Sequence, residues 1–171
     1  RYWRDWSSDV CSSDLLFEGK PVGVISESGC PGVADPGALA VQYAHQNGIK
    51  VEPMVGPSSI LLALMASGLN GQRFAFNGYL PVETNEAAQA IKKFENDSRS
   101  KNQTQIFIET PYRNNALIGH LLKSLHDETL LCIASNVTGE TEMIKTLPVK
   151  TWRKEGITLP KEPALFLFLA L

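Results

Sequence analysis

The sequence predicts an α/β protein built from two α/β domains, and three observations lead there. Short β-branched or aromatic runs alternate with segments of helical period along most of the chain. Loops rich in glycine and proline follow several of those runs directly. Hydrophobic residues make up 43% of the 171 and charged residues 20%, the balance of a folded globular chain rather than a disordered one. Such alternation favours a parallel sheet covered by helices and joined by right-handed crossovers.

Residues 1–15, RYWRDWSSDVCSSDL, carry no sustained period and a small internal echo, SSDV then CSSDL. Asp5, Asp9 and Asp14 interrupt them and no apolar core follows the basic residues, so they are not a signal peptide. The string resembles translated sequencing-adapter read-through. From Lys20 onward the order begins. Residues 21–26 read as a buried strand, residues 27–37 as a rigid turn dense in Gly and Pro, and residues 38–47 as a helix stopped by Gly48. Residues 49–55 alternate at period 2 as a second strand, 56–59 (Gly-Pro-Ser-Ser) form a second tight loop, and an apolar helix covers 60–67.

Residues 73–80 are a further apolar, aromatic segment, and 81–85 connect it to the next helix, so a domain boundary falls within 70–82. The expected division is an extension at 1–15, the remainder of a first domain at 16–75, and a second domain at 76–171. In the second, helices are expected at 86–96 and 114–126, strands at 104–109, 130–134, 142–147 and 164–171, and a polar loop at 97–103.

Composition narrows the function. Sixteen basic and eighteen acidic residues give a net charge of −2, so no global basic field marks a nucleic-acid binder, and an RNA substrate has to be argued locally. No run approaches the roughly 18 apolar residues a bilayer span needs, so no membrane role is expected. Cys11, Cys30 and Cys132 are odd in number and widely spaced, which fits neither a disulfide framework nor a zinc site and points to a reducing, cytoplasmic setting. His45, His120 and His126 are scattered, and no metal is expected.

Two glycine-rich loops that each follow a strand should lie on one sheet edge, where open α/β sheets bind ligands. Glycines there let backbone N–H groups approach a ligand closely. Neither GxGxxG nor GxxxxGK[ST] is present, so nicotinamide and nucleoside-triphosphate chemistry lack support. Taken alone, each loop could equally be an ordinary strand-to-helix connection.

The string from Gly23 to Pro81 resembles the tetrapyrrole methylase superfamily of S-adenosylmethionine-dependent methyltransferases, in the branch that acts on small-subunit ribosomal RNA. Residues 26–37 are similar to the branch's Ser-Asp/Glu-Ala/Ser-Gly-x-Pro-x-x-x-Asp-Pro-Gly loop, 53–58 to its Pro-Leu/Val-x-Gly-Pro-Ser segment, and 76–81 to its Phe-x-Gly-Tyr/Phe-Leu-Pro segment. The likeness extends over about 16–171, through 106–113, 136–142 and 161–163. It departs at Asn136, where the branch usually has an acid, at Gly139, where it has lysine, and at Pro163.

The resemblance implies two domains of the tetrapyrrole methylase type clasping S-adenosyl-L-methionine in a homodimer, with 2′-O-methylation of small-subunit ribosomal RNA as the reaction. By position it implies cofactor contacts at Ser28, Gly29, Cys30 and Val33, at Ser58 and Ser59, and at Ile108, Glu109, Val137, Pro163 and Ala164. It assigns no catalytic residue. Glu27 and Glu109 are the carboxylates best placed near the cleft, though a surface salt bridge is the role expected of either, and Arg113 suits an RNA phosphate or the acidic neighbours of the next helix. On the adapter reading the first domain is N-terminally truncated and has lost its opening strands, which predicts exposed apolar surface and weak cofactor binding. A tetrapyrrole or other small-molecule methylase and a non-catalytic nucleotide-binding fragment are the other readings.

Overall fold

The computed structural model describes residues 18–26 and 29–171, so the expectations for 1–15, Glu27 and Ser28 lie outside the described residues. The chain divides into two compact units, Arg1–Ser58 and Ser59–Leu171. Each is taken by itself.

The described part of the first unit is one helix joined to turns and to chain without strands. Helix α1 (Ala38–Gln46) buries Ala40 and Ala44. It ends where Gly48 takes a φ of 68° and Ile49 N–H reaches back to Ala44 O at 2.8 Å, with Gly48 N–H on His45 O. That is a Schellman cap, and glycine is the residue that adopts its left-handed position without strain. The strands expected at 21–26 and 49–55 are absent. Neither segment joins a ladder, and Ile25 is 91% exposed. A strand needs a neighbour for its N–H and C=O groups, and among the described residues of this unit no segment supplies a ladder. Among the described residues of this unit the expected parallel sheet is therefore not formed.

The second unit is a single mixed sheet with helices on both faces. It comprises α2 (Ser59–Ser67), β1 (Phe74–Phe76), α3 (Thr84–Lys101), β2 (Thr104–Glu109), α4 (Asn114–Ser124), β3 (Leu130–Ser135), β4 (Met143–Pro148), α5 (Val149–Glu155) and β5 (Ala164–Leu169). Strand order is β1-β2-β5-β3-β4. Only β1 and β2 run parallel; β5 inserts antiparallel between β2 and β3, and β4 pairs antiparallel with β3. Because β5 has a strand on either side and helices over both faces, its ALFLFL sequence is apolar without alternation and buried throughout.

One face holds Phe107, Ile133, Phe166 and Phe168 under α3, α4 and α5, with Phe107 and Phe168 stacked at 5.6 Å. The other holds Ile106, Cys132, Ala134, Leu165 and Leu167 under Ile60, Ala63 and Leu64 of α2. Helix α2, expected in the first domain, thus packs on this sheet, and Thr146 Oγ1 ties to Ser67 O at 2.7 Å. Burial pushes the Cys132 thiol up, against a hydrogen bond with Thr146 that lowers it. No helix among the described residues is long and apolar enough to cross a membrane.

Two further boundaries differ from expectation. Most of the loop expected at 97–103 is the last turn of α3, which runs to Lys101 and is capped by Asn102 at a φ of 48°. Helix α4 stops at Ser124 rather than 126 because Leu125 turns to extended backbone.

Candidate functional site

Strands β2 and β3 end where β5 begins. Glu109 stands opposite Ala164, and Ala164 opposite Ser135, so three sequence segments far apart in the chain meet at one sheet edge. Residues directly opposed in a sheet share a face. Glu109, Ala164 and Ser135 therefore lie on the face of Phe107 and Phe166, while Ile108 and Val137 pack against the cluster on the other face. The register brings Ile108, Glu109, Val137, Pro163 and Ala164 to one edge, divided between its two sides.

Glu109 is an anchor rather than a free carboxylate. Its side chain is fully buried; Oε1 accepts the Thr110 N–H at 2.7 Å, and Oε2 lies 3.1 Å from an Arg113 guanidinium nitrogen. That approach is an ion-pair contact without hydrogen-bond alignment, so Oε2 accepts no aligned hydrogen bond. The pair is not the surface salt bridge expected for Glu109, and Arg113 engages β2 rather than an acid on the following helix. Since the side chains of Glu109 and Ala164 are both buried, these positions offer backbone at the edge.

Two more buried polar atoms at this edge lack a hydrogen-bond partner among the described residues: Ser135 Oγ, and Asn114 Oδ1 at the start of α4. Asn114 Nδ2 donates to Glu162 O at 2.7 Å, which fixes the approach to β5. The turn after β3 is held from several sides. Asn136 N–H donates to Pro163 O at 2.9 Å, Asn136 Nδ2 to Thr141 Oγ1 at 2.6 Å, and the Thr141 hydroxyl to Glu162 Oε1 at 2.9 Å. Asn136 and Thr138 have φ of 49° and 70°. A β-branched residue there is a conformational outlier of the kind that gathers at functional sites. The Thr138 N–H is met by Glu142 Oε2 at 2.6 Å. A Cβ at Gly139 would fall 2.3 Å from the tied Asn136 amide, which accounts for glycine at that position in this chain. Above the same edge Lys161 Nζ sits 5.3 Å over the Tyr112 ring.

In the first unit the two glycine-rich loops touch, because Cys30 Sγ lies 3.3 Å from Pro57 O. Gly29 (φ 82°) and Gly56 have open space where a Cβ would stand. Val33, with Pro31 and Gly32, borders an open depression of about 770 Å³ against α1. Ser58 closes this unit and Ser59 begins α2, so the second-loop pair falls on either side of the division. Ser28 and Glu27 lie outside the described residues. No group of three or more His, Cys, Asp or Glu gathers to hold a metal among the described residues.

Asn114, Ser135, Thr141, Glu142 and Glu162 carry the polar framework of the edge, and sequence reasoning gave none of them a role. Glu142 and Glu162 stood inside or beside quoted motifs; Ser135 and Asn114 had no signal, because only the strand register makes them neighbours.

Comparison with known proteins places this arrangement. The family model for tetrapyrrole (corrin/porphyrin) methylases matches residues 6–152. A protein named ribosomal RNA small subunit methyltransferase I from Vibrio cholerae is 32% identical over 145 residues, 83% of this chain and 49% of its own length. Its namesake from Mesorhizobium japonicum is 35% identical over 131 residues, 77% of this chain and 43% of its own. The chain thus spans about half the length of the curated relatives it matches. Among solved structures, the methyltransferase CobJ aligns with a TM-score of 0.59 at 15% identity, covering 92% of this chain and 73% of CobJ. Cobalt precorrin-4 methyltransferase CbiF aligns at 0.54 and 18%, covering 93% of this chain and 68% of its own, and both likenesses concern the fold. The family match covers most of the length, and the chain belongs to the tetrapyrrole (corrin/porphyrin) methylases.

Proposed function

We propose that this chain is part of an S-adenosylmethionine-dependent methyltransferase that 2′-O-methylates a nucleotide of small-subunit ribosomal RNA, acting as a homodimer in the cytoplasm. The observation that carries the reading is the register Glu109–Ala164–Ser135, which gathers separate motifs at one sheet edge. The names of relatives about a third identical over most of the chain support the RNA substrate over a tetrapyrrole.

The residues fit such a methyl donor. Ser135 Oγ and Asn114 Oδ1, buried without a hydrogen-bond partner among the described residues, stand at the edge, and Val137 and Ala164 supply uncharged backbone beside them. In this reading Ile108, Glu109, Val137, Pro163 and Ala164 of the second unit would hold S-adenosyl-L-methionine. Ser28, Gly29, Cys30, Val33 and Ser58 of the first, with Ser59, are the further proposed contacts. A sulfonium donor brings an already activated methyl group, so the chain's own task is alignment of the reacting groups. Glu109 is not offered as the base for a ribose hydroxyl: one oxygen is taken by the Thr110 N–H, the other faces Arg113, and the side chain is buried.

Isothermal titration of the chain with S-adenosylhomocysteine tests the reading, and saturable binding is expected. Methyl transfer to undermethylated small ribosomal subunits, with none to porphyrin precursors, is the second arm. Absence of nucleoside binding by a well-folded chain would overturn the proposal.

A further inference from the structure

The turn after β3 is strained at its apex and fixed at its flanks. Asn136, at φ 49°, is bound through its N–H to Pro163 O and through its amide to Thr141. Glu142 N–H closes the far side on Gly139 O at 3.1 Å. Between these points Thr138 holds a φ of 70°, and the carboxylate of Glu142 meets its N–H at 2.6 Å. Threonine gains nothing from that conformation itself, since its branched Cβ crowds the backbone wherever φ is positive. A short charge-assisted hydrogen bond is the kind of interaction that offsets such strain.

We propose that Glu142 is a positioning residue of the edge: by bracing Thr138 in the left-handed region it sets the direction in which the Val137–Thr138 backbone faces a ligand. The inference rests on the methyl-donor reading above. Without the brace the peptide between Val137 and Thr138 relaxes toward negative φ and turns its polar groups away from the edge. Glycine at 138 would remove the need for the brace, because it adopts positive φ freely.

The experiment is a cycle of Glu142→Ala, Glu142→Gln, Thr138→Gly and the double Glu142→Ala/Thr138→Gly in the full chain. Affinity for S-adenosylhomocysteine and the exchange rate of the residue-138 amide are measured for each. Glu142→Ala is expected to weaken binding about fivefold, the effect of one hydrogen bond, and to speed exchange of the Thr138 amide by a similar factor. Glu142→Gln keeps an acceptor oxygen and retains most of the affinity. The double variant should bind nearly as well as Thr138→Gly alone, which a merely structural role for Glu142 would not produce. Equal affinity of Glu142→Ala and the parent, or failure of Thr138→Gly to rescue a folded Glu142→Ala chain, overturns the proposal. If the parent chain binds no S-adenosylhomocysteine, the methyl-donor reading fails. The exchange arm then decides the brace separately, since unchanged exchange in Glu142→Ala would refute it as well.

Discussion

Strand β5 and the segment at 20–26 occupy opposite situations. β5 has β2 and β3 bonded to its two sides, apolar clusters against both faces, and Phe166 wholly buried. The segment at 20–26 carries Val22, Val24 and Ile25 exposed and joins no ladder. Both sequences are apolar enough to be strands, so the difference lies outside them. Strand formation depends on neighbours, and β propensity measures fit to a surface that must already exist. Helix α1 forms in the same unit because its hydrogen bonds and its Schellman cap are local.

The largest test of this comparison is core truncation. Phe166→Ala should cost about 3–5 kcal/mol, since the side chain is fully enclosed and its site sits between two paired strands. Val24→Ala, in the first unit, should move stability by no more than about 0.5 kcal/mol. Urea unfolding of both variants reads the contrast. Comparable losses would mean that the first unit is as integral to the cooperative fold as the sheet.

Legibility in the sequence divides along the same line. The bounds of β2, the start of α4 and the burial of β5 could be read because each obeys a strong pattern within one segment. The last turn of α3 was read as loop because its inward stripe, Ala87, Ile91, Glu95 and Ser98, turns polar at its end. Ser98 is fully buried, yet it belongs there because its hydroxyl accepts the Ala170 N–H at 2.9 Å. Helix α5 is two turns long and buries only Val149 and Trp152, too few positions to show a period. At the edge, Glu109, Val137 and Ala164 could be proposed from motifs. The orphaned Ser135 and Asn114 and the Thr141–Glu162 link depend on strand register and were not readable.

A smaller test concerns the long-range polar bonds that tie the elements of the second unit together. Glu95, buried on α3, accepts the His126 N–H at 2.8 Å and the Thr129 hydroxyl, so it stitches the helix to the turn before β3. Glu95→Ala leaves those donors unmet and should cost about 1–3 kcal/mol, with Glu95→Gln recovering part of it. A loss no larger than that of Val24→Ala would show that the turn finds water instead. The unit would then owe its order to apolar burial alone.

The smallest expected effect is also the most local. Asp97 and Lys101 lie one turn apart on α3, with Lys101 Nζ 2.7 Å from Asp97 Oδ1. The Lys101 hydrogen bond holds the Asp97 carboxyl below its ordinary value against an opposing desolvation, with the Lys101 and Lys93 charges adding to it. A carboxyl depressed in the folded state binds fewer protons there than in the unfolded chain. Its contribution is therefore complete above the unfolded value of about 3.9 and disappears as pH falls through the lower folded value. Asp97→Asn should lower the melting temperature slightly at neutral pH, less so in high salt, and should melt with the parent once the pH is below that range. If Asp97→Asn matched Glu95→Ala at neutral pH, exposed pairs within one helix would count as much as buried bonds between elements. The contrast drawn between the two units would then have to be sought in their local sequence after all.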